Sequence, residues 1–250
     1  MKIDTFKIEY TKTENCTADS EYKSLPVGVV IAAAGNSSRM NGTDKILTPI
    51  LDVPVIIRTI MPFESNPLVK SIVVVSEEKS VADIQNLICR YKINKVTDII
   101  NGGKSRQESV KLGFETLLKN PDIKIVLVHD GARPLVSEMV INRVIKATEE
   151  FTAAVPAVPV KDTIKEIGAI GKIESTPDRS RLVAVQTPQG FFASDYSKAL
   201  EFAKNSEKIF TDDASLMENA GYSVYVVPGD NKNIKITTQE DILIATAFLS

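Results

Sequence analysis

The chain has 250 residues, is 43% hydrophobic and 25% charged, and carries a formal net charge of -2. That is enough chain to bury the core of one large α/β domain, and so balanced a charge offers no field for nucleic acid. No apolar run approaches the roughly 18 to 20 residues of a membrane span, and two cysteines with one histidine make neither a disulfide framework nor a zinc site.

Residues 1–25 are polar, with one strand-like alternation at Phe6-Lys7-Ile8-Glu9-Tyr10. They read as an extension without the long apolar segment of a signal peptide, so cytoplasm is the expected compartment. From residue 26 onward strand-like and helix-like segments alternate. Apolar runs at 27–34, 71–75, 97–100, 124–128 and 153–160 predict buried strands, and amphipathic stretches at 54–63, 81–91, 105–119 and 137–150 predict helices. Such alternation implies right-handed crossovers and a doubly wound, mostly parallel Rossmann-like α/β sheet. The rhythm then changes. Short alternating strands at 161–167 and 172–175, joined by Gly168-Ala169-Ile170-Gly171, predict a β-hairpin arm that leaves the main body at about 159–180. Helical stretches return at 194–204, 212–220 and 239–248, with a strand at 222–227. No linker or repeat divides residues 26–250, which read as one domain.

The most informative segment follows the first strand. After Ala33-Ala34-Gly35 comes a small-residue loop with two cations, Arg39 and Lys45. Small residues let backbone N–H groups approach an anion, and the cations neutralise it. Three phosphate loops compete for this segment. A dinucleotide fold wants G-x-G-x-x-G, but only Gly35 is present, although Glu77 after the second strand could imitate the acid that binds a ribose. A P-loop ending at Gly103-Lys104-Ser105 fails because Asp98 holds its first glycine position. The nucleotidyltransferase loop, a glycine turn followed by Arg and Lys, fits without repair.

Further motifs admit two readings each. Asp130, with Gly131 and Arg133 after it, closes an apolar strand. The acid suits Mg²⁺ and the guanidinium suits a phosphate, or the segment is a turn capped by Asp130 and stopped by Pro134. A single histidine, His129, nearly excludes Ser-His-Asp hydrolysis. Gly102-Gly103…Arg106…Ser109 is either an anion site at a helix N-terminus or an ordinary turn with Ser105 as N-cap. Gln186 to Gln189 could be a turn, Thr211-Asp212-Asp213 a helix start, and Lys235 a solvated strand residue.

Taken in order, these pieces resemble the 2-C-methyl-D-erythritol 4-phosphate cytidylyltransferase family, from about residue 27 to the C-terminus. The resemblance is carried by Ala33-Ala34-Gly35…Arg39-Met40…Lys45, Gly102-Gly103…Arg106…Ser109, His129-Asp130…Ala132-Arg133-Pro134 and Asp162-Thr163-Ile164-Lys165. Asp178-Arg179, Gln186-Thr187-Pro188-Gln189, Thr211-Asp212-Asp213-Ala214-Ser215 and Asn233-Ile234-Lys235…Thr237 complete it. It implies transfer of CMP from CTP to a sugar-alcohol phosphate. In that reaction Arg39 and Lys45 stabilise the transition state, Asp130 holds Mg²⁺, and Arg179 and Lys235 position the acceptor. Arg133, Thr163, Thr187 and Thr211 are then expected in the acceptor pocket, with Ala33, Ala34, Gly35, Gly102, Gly103, Arg106, Ser109 and Gly131 on the nucleotide side. The resemblance also implies a homodimer whose arms cross, carrying Arg179 into the partner's site.

The chain departs from the commonest family pattern at Ser37, in place of a second loop glycine, at Gly131, where alanine is usual, and at Ile46, where glutamine is usual. The nearest rival is a cytidylyltransferase acting on ribitol 5-phosphate. Ala32-Ala33-Ala34-Gly35 and Thr211-Asp212-Asp213-Ala214 favour methylerythritol. More distant alternatives are an NAD-dependent oxidoreductase and a nucleotide-binding regulator without turnover.

Overall fold

The computed structural model describes residues 25–35, 44–204, 208 and 210–250. The alternation at Phe6 to Tyr10, Ser37 and Arg39 lie outside the described residues.

The first strand, β1 (Val27–Ala33), is Val-Gly-Val-Val-Ile-Ala-Ala and is buried along nearly its whole length. A run this apolar, rich in β-branched residues, suits a strand covered on both faces. A short hairpin, β2 (Pro49–Ile50) and β3 (Val53–Pro54), leads into helix α1 (Val55–Ser65). Then follow β4 (Val69–Ser76), α2 (Glu78–Arg90), β5 (Val96–Asn101), α3 (Arg106–Leu117), β6 (Ile125–Asp130), α4 (Glu138–Phe151) and β7 (Ala153–Pro159). The arm contributes β8 (Glu166–Ile167) and β9 (Ile173–Ser175), and a 3₁₀ turn spans Arg179–Arg181. The chain returns through β10 (Val183–Val185), β11 (Gln189–Phe192), α5 (Ala193–Ala203), α6 (Asp213–Asn219), β12 (Tyr225–Pro228) and α7 (Gln239–Leu249).

Strands β5, β4, β1 and β6 form a parallel block in that order. Strand β11 then lies antiparallel between β6 and β7. Strand β10 pairs antiparallel with β7, and β12 pairs parallel with it. Ala154 of β7 is in register with both Gly190 and Tyr225, so β11 and β12 occupy opposite edges of β7. The sheet is therefore mostly parallel, doubly wound and mixed on one side.

Helices cover both faces. Ile56, Ile57, Ile60 and Phe63 of α1, Ile84 and Ile88 of α2, and Val140, Ile141, Val144 and Ile145 of α4 pack on one. Val110, Phe114 and Leu117 of α3, Tyr196 and Leu200 of α5, and Leu216 and Met217 of α6 pack on the other. Each large aliphatic or aromatic side chain so buried contributes about 1.5 to 3 kcal/mol. Side-chain caps fix where helices begin: Ser105 accepts from the Glu108 N–H, Ser137 from Val140, and Asp212 from Ser215.

Two expectations need correcting. The hairpin pairs only over β8 and β9 rather than from 161, because among the described residues nothing covers this exposed ribbon and a two-stranded pair is marginal without cover. Gln186 to Gln189 is also more than a turn, since Gln189 begins β11 inside the sheet.

Candidate active site

Strands β1 and β6 are neighbours, with Ala32 opposite Asp130. From β1 the sheet extends to β4 and β5 on one side and to β6 and β11 on the other. This reversal opens a crevice at the carboxyl ends of the strands, where α/β proteins bind ligands.

Asp130 ends β6. Its Oδ2 lies 3.0 Å from Lys235 Nζ and 3.3 Å from Arg133 Nε, and its Oδ1 lies 3.8 Å from Arg106 Nη2. Burial alone would raise the pKa of this carboxyl, but Lys235, Arg106 and Arg133 outweigh it and pull it down to about 2. Asp130 is charged at any physiological pH.

The cations come from separate parts of the chain. Arg133 follows directly after β6, and its Nη1 donates to the Asn233 carbonyl at 2.7 Å. The segment bearing Lys235 is fastened by the Ile236 N–H to the Ala132 carbonyl at 2.8 Å. Ile236 itself is buried among Ile50, Val55, Ala132 and Ala245. An apolar anchor thus holds an ammonium over the carboxylate. Arg106 begins α3, and its Nη1 donates to Asp213 Oδ2 at 2.8 Å.

Behind Asp130 lies a polar support. Thr187 Oγ1 accepts the Asp130 N–H at 3.1 Å and meets His129 Nδ1 at 2.9 Å. His129 Nε2 is 3.2 Å from the Arg133 carbonyl. A carbonyl only accepts, so Nε2 carries the proton and Nδ1 accepts from the Thr187 hydroxyl. Burial pushes the His129 pKa down to about 4, against the pull of Asp130, so the ring is neutral.

On the other side, the Gly103 N–H donates to Ser109 Oγ at 3.0 Å, and that hydroxyl donates to the Ser105 carbonyl at 2.8 Å. At the α3 start the Glu108 N–H donates to Ser105 Oγ at 3.1 Å, and Glu108 Oε2 accepts the Lys104 N–H at 2.7 Å. A Cβ at Gly102 would stand 2.4 Å from Ala34 Cβ and 2.8 Å from Ser109 Oγ. Glycine is required there so that the β5–α3 loop can close on the end of β1. A Cβ at Gly131 would fall 2.8 Å from Ala33 Cβ, so the alanine usual there in the family needs the end of β1 to give way.

Ala33, Ala34, Gly35, Lys45, Arg106, Ser109, Asp130 and Lys235 all line one cleft. Gly102 and Gly103 adjoin it through Ser109, and Gly131 and Arg133 flank Asp130. Thr187 is buried, its hydroxyl committed to Asp130 and His129, so it supports the carboxylate instead of lining an open acceptor pocket. Thr211 is exposed just before α6. Thr163 and Arg179 are exposed on the arm, where Arg179 Nη1 donates to the Lys161 carbonyl at 2.6 Å, and neither lines the cleft of its own chain. Sequence reasoning missed Asp213, Tyr196 and Gln189 as parts of the site. Asp213 and Gln189 stood inside quoted motifs without a role of their own, and Tyr196 sits at an ordinary core position.

Among the described residues no group of three or more His, Cys, Asp or Glu side chains could enclose a metal ion. Asp130 is a single hard oxygen donor, and among these residues its Oδ1 meets only the 3.8 Å ion pair. That donor suits Mg²⁺, which takes one or two carboxylates and completes its shell with phosphate oxygens and water.

The cleft's chemistry has a counterpart in known proteins. The family model for 2-C-methyl-D-erythritol 4-phosphate cytidylyltransferase (IspD) matches residues 27–250. The chain belongs to this family. An enzyme of that name from Bacillus thuringiensis is 43% identical over 222 residues, covering 88% of this chain and 96% of its own. One from Halalkalibacterium halodurans is 42% identical over 227 residues, covering 90% and 98%. Among solved structures, the 4-diphosphocytidyl-2C-methyl-D-erythritol synthase of Anaerococcus prevotii superposes with a TM-score of 0.79 at 29% identity, covering 90% of this chain and 99% of that one. A bifunctional IspDF from Campylobacter jejuni gives 0.70 at 28% identity, and the match covers 53% of that longer chain. As a cytidylyltransferase of this family, the chain transfers CMP from CTP to 2-C-methyl-D-erythritol 4-phosphate in isoprenoid biosynthesis. The oxidoreductase reading of Glu77 falls away. That carboxylate precedes α2 and pairs with Lys79 at 2.7 Å. No helix among the described residues is long and apolar enough to cross a membrane.

Proposed function

We propose that the cleft performs this transfer by gathering two anions rather than by acid–base chemistry, with residues 26–250 acting as one catalytic domain. The observation that carries the reading is the Asp130 carboxylate ringed by Arg106, Arg133 and Lys235 beside the end of β1. The acceptor is a phosphate monoester whose second pKa is about 6, so it arrives ionised and needs no general base. Its oxygen attacks the α-phosphorus of CTP. The new P–O bond forms as the bond to the bridging α–β oxygen breaks, and pyrophosphate leaves with that electron pair. Charge grows on the phosphoryl oxygens during the step, and fixed cations stabilise it.

Lys45 and Arg39 neutralise the triphosphate at the attacked phosphorus. Lys235 and Arg133 hold the acceptor phosphate, aided by Thr211. Asp130 would hold Mg²⁺, which when bound supplies charge neutralisation at the phosphates. Ser109, Gly102 and Gly103 shape the nucleoside side. Arg179 and Thr163 act from the arm in the partner's cleft of a homodimer. Support for that assembly comes from Ile167, Ile170 and Ile173, which are 66%, 91% and 55% exposed on the arm and call for cover. Both substrates are charged phosphates that do not cross membranes unaided, so the reaction is assigned to the cytoplasm.

The test supplies purified protein with CTP, Mg²⁺ and either methylerythritol phosphate or ribitol 5-phosphate, and follows pyrophosphate release. Release with methylerythritol phosphate is expected, and preference for ribitol would overturn the acceptor assignment. Lys45→Ala and Arg39→Ala should each lower kcat by a hundredfold or more, on the order of 3 to 4 kcal/mol. Folding, followed by circular dichroism, should be unchanged.

A further inference from the structure

We propose that Asp213 and Tyr196 are positioning residues that aim the Arg106 guanidinium at the CTP triphosphate. The inference rests on the cytidylyltransferase reading of the cleft and adds to it a buried support reaching in from α5 and α6.

Arg106 is the first residue of α3, where the positive end of the helix dipole opposes a cation. Something must hold it there. Asp213 Oδ2 takes one edge of the fork at 2.8 Å, whereas the contact to Asp130 at 3.8 Å is too long for a hydrogen bond. Asp213 thus fixes the guanidinium while Nη2 remains turned toward the cleft, which Arg106 lines together with Gly35 and Ser109. The two carboxylates outweigh the cost of burial and hold the Arg106 pKa above its ordinary value.

Asp213 is itself constrained at both ends. Its Oδ1 accepts from the Tyr196 hydroxyl at 2.6 Å, and its N–H and that of Ala214 both donate to Gln189 Oε1. Buried, with each oxygen already bonded within the protein, Asp213 acts through Arg106. The Tyr196 ring is fully buried, edge-on to Phe114 with centroids 4.9 Å apart and stacked on Phe191 at 5.1 Å, which sets the direction of its O–H. Burial and the neighbouring Asp213 charge push the phenol pKa well up, so it stays a donor. A buried Asp–Arg pair adds little net stability once desolvation is counted. What this one supplies is aim.

The test measures CTP affinity by calorimetry without acceptor, and KM for each substrate, in Tyr196→Phe, Asp213→Asn, Arg106→Lys and the double variant Tyr196→Phe/Arg106→Lys. Tyr196→Phe removes one oxygen from a packed ring and should fold. It should weaken CTP binding roughly tenfold, the scale of one hydrogen bond to a charged group, and raise KM for CTP in parallel, with KM for the acceptor within about twofold. Asp213→Asn should cost more. In the Arg106→Lys background, Tyr196→Phe should cost nothing further, because the group it aims is gone. Wild-type CTP affinity in folded Tyr196→Phe would overturn the proposal, as would an equal loss in both backgrounds or an effect confined to the acceptor. Wild-type protein that binds CTP but releases no pyrophosphate with either acceptor would instead remove the catalytic reading on which it rests.

Discussion

His129 shows how tightly single residues are determined around the carboxylate. Its two ring nitrogens have one partner each: in the neutral ring Nε2 donates to the Arg133 carbonyl and Nδ1 accepts from the Thr187 hydroxyl. The ring also packs against Phe63, with centroids 5.0 Å apart. Its pKa falls from 6.5 when unfolded to about 4 in the fold. Between those values the unfolded chain binds more protons, so stability is complete above pH 6.5 and is lost as pH falls toward 4. The loss amounts to about 3 kcal/mol. Because this is the chain's only histidine, His129→Gln should flatten the dependence of the urea midpoint on pH between 6.5 and 4. A slope equal to the wild type's would show that other groups cause it. Asp130 and Lys235 each kept a plain alternative, a turn cap and a solvated strand residue, and only the ordered set of motifs gave them roles. Asn233 was only quoted in a motif. Its use, accepting from Arg133 through its carbonyl and donating from Nδ2 to the Thr187 carbonyl at 2.9 Å, depends on contacts that no spacing records.

Elements were legible in proportion to their burial and local signal. The parallel strands β1, β4, β6 and β7 announce themselves as apolar runs because both of their faces are covered. Strand β11 does not. It is only four residues long, opens with Gln189-Gly190, and follows a Thr-Pro pair that signals a turn. Pairing with β6 and β7 makes it a strand, and those contacts are tertiary. Its Gln189 then seats α6, accepting from Asp213 and Ala214 and donating to Asp212 Oδ2 at 2.7 Å. The β5–α3 loop read either as an anion site or as a capped turn, and the cap is present at Ser105. Gly102→Ala should force Ala34 and Ser109 apart, weakening CTP binding by tenfold or more in calorimetry while the helical content of α3 persists. Unchanged affinity would mean that the loop absorbs a methyl group without moving the cleft.

At the scale of the whole molecule the arm remains the open term. It carries Arg179 and Thr163 away from the cleft of its own chain and leaves four isoleucines bare, Ile164, Ile167, Ile170 and Ile173. Under the shared-site reading, Lys45→Ala and Arg179→Ala subunits are each inactive as homodimers. Each heterodimer then has one intact cleft of two, so isolated heterodimers should recover about half of wild-type activity and a freely exchanged mixture, half of it heterodimer, about a quarter. Isolated heterodimers without turnover would show that each cleft is complete within its own chain. Composition and periodicity offered no route to this arrangement.

The contacts that finish the cleft span great lengths of chain: Arg106 meets Asp213 across 107 residues, and Arg133 meets Asn233 across 100. Every residue through Lys235 must therefore have left the ribosome before the carboxylate gains its last cation. A chain cut short before Asn233 lacks both the carbonyl that receives Arg133 and the ammonium that pairs with Asp130, so its half-built cleft holds fewer cations for a triphosphate.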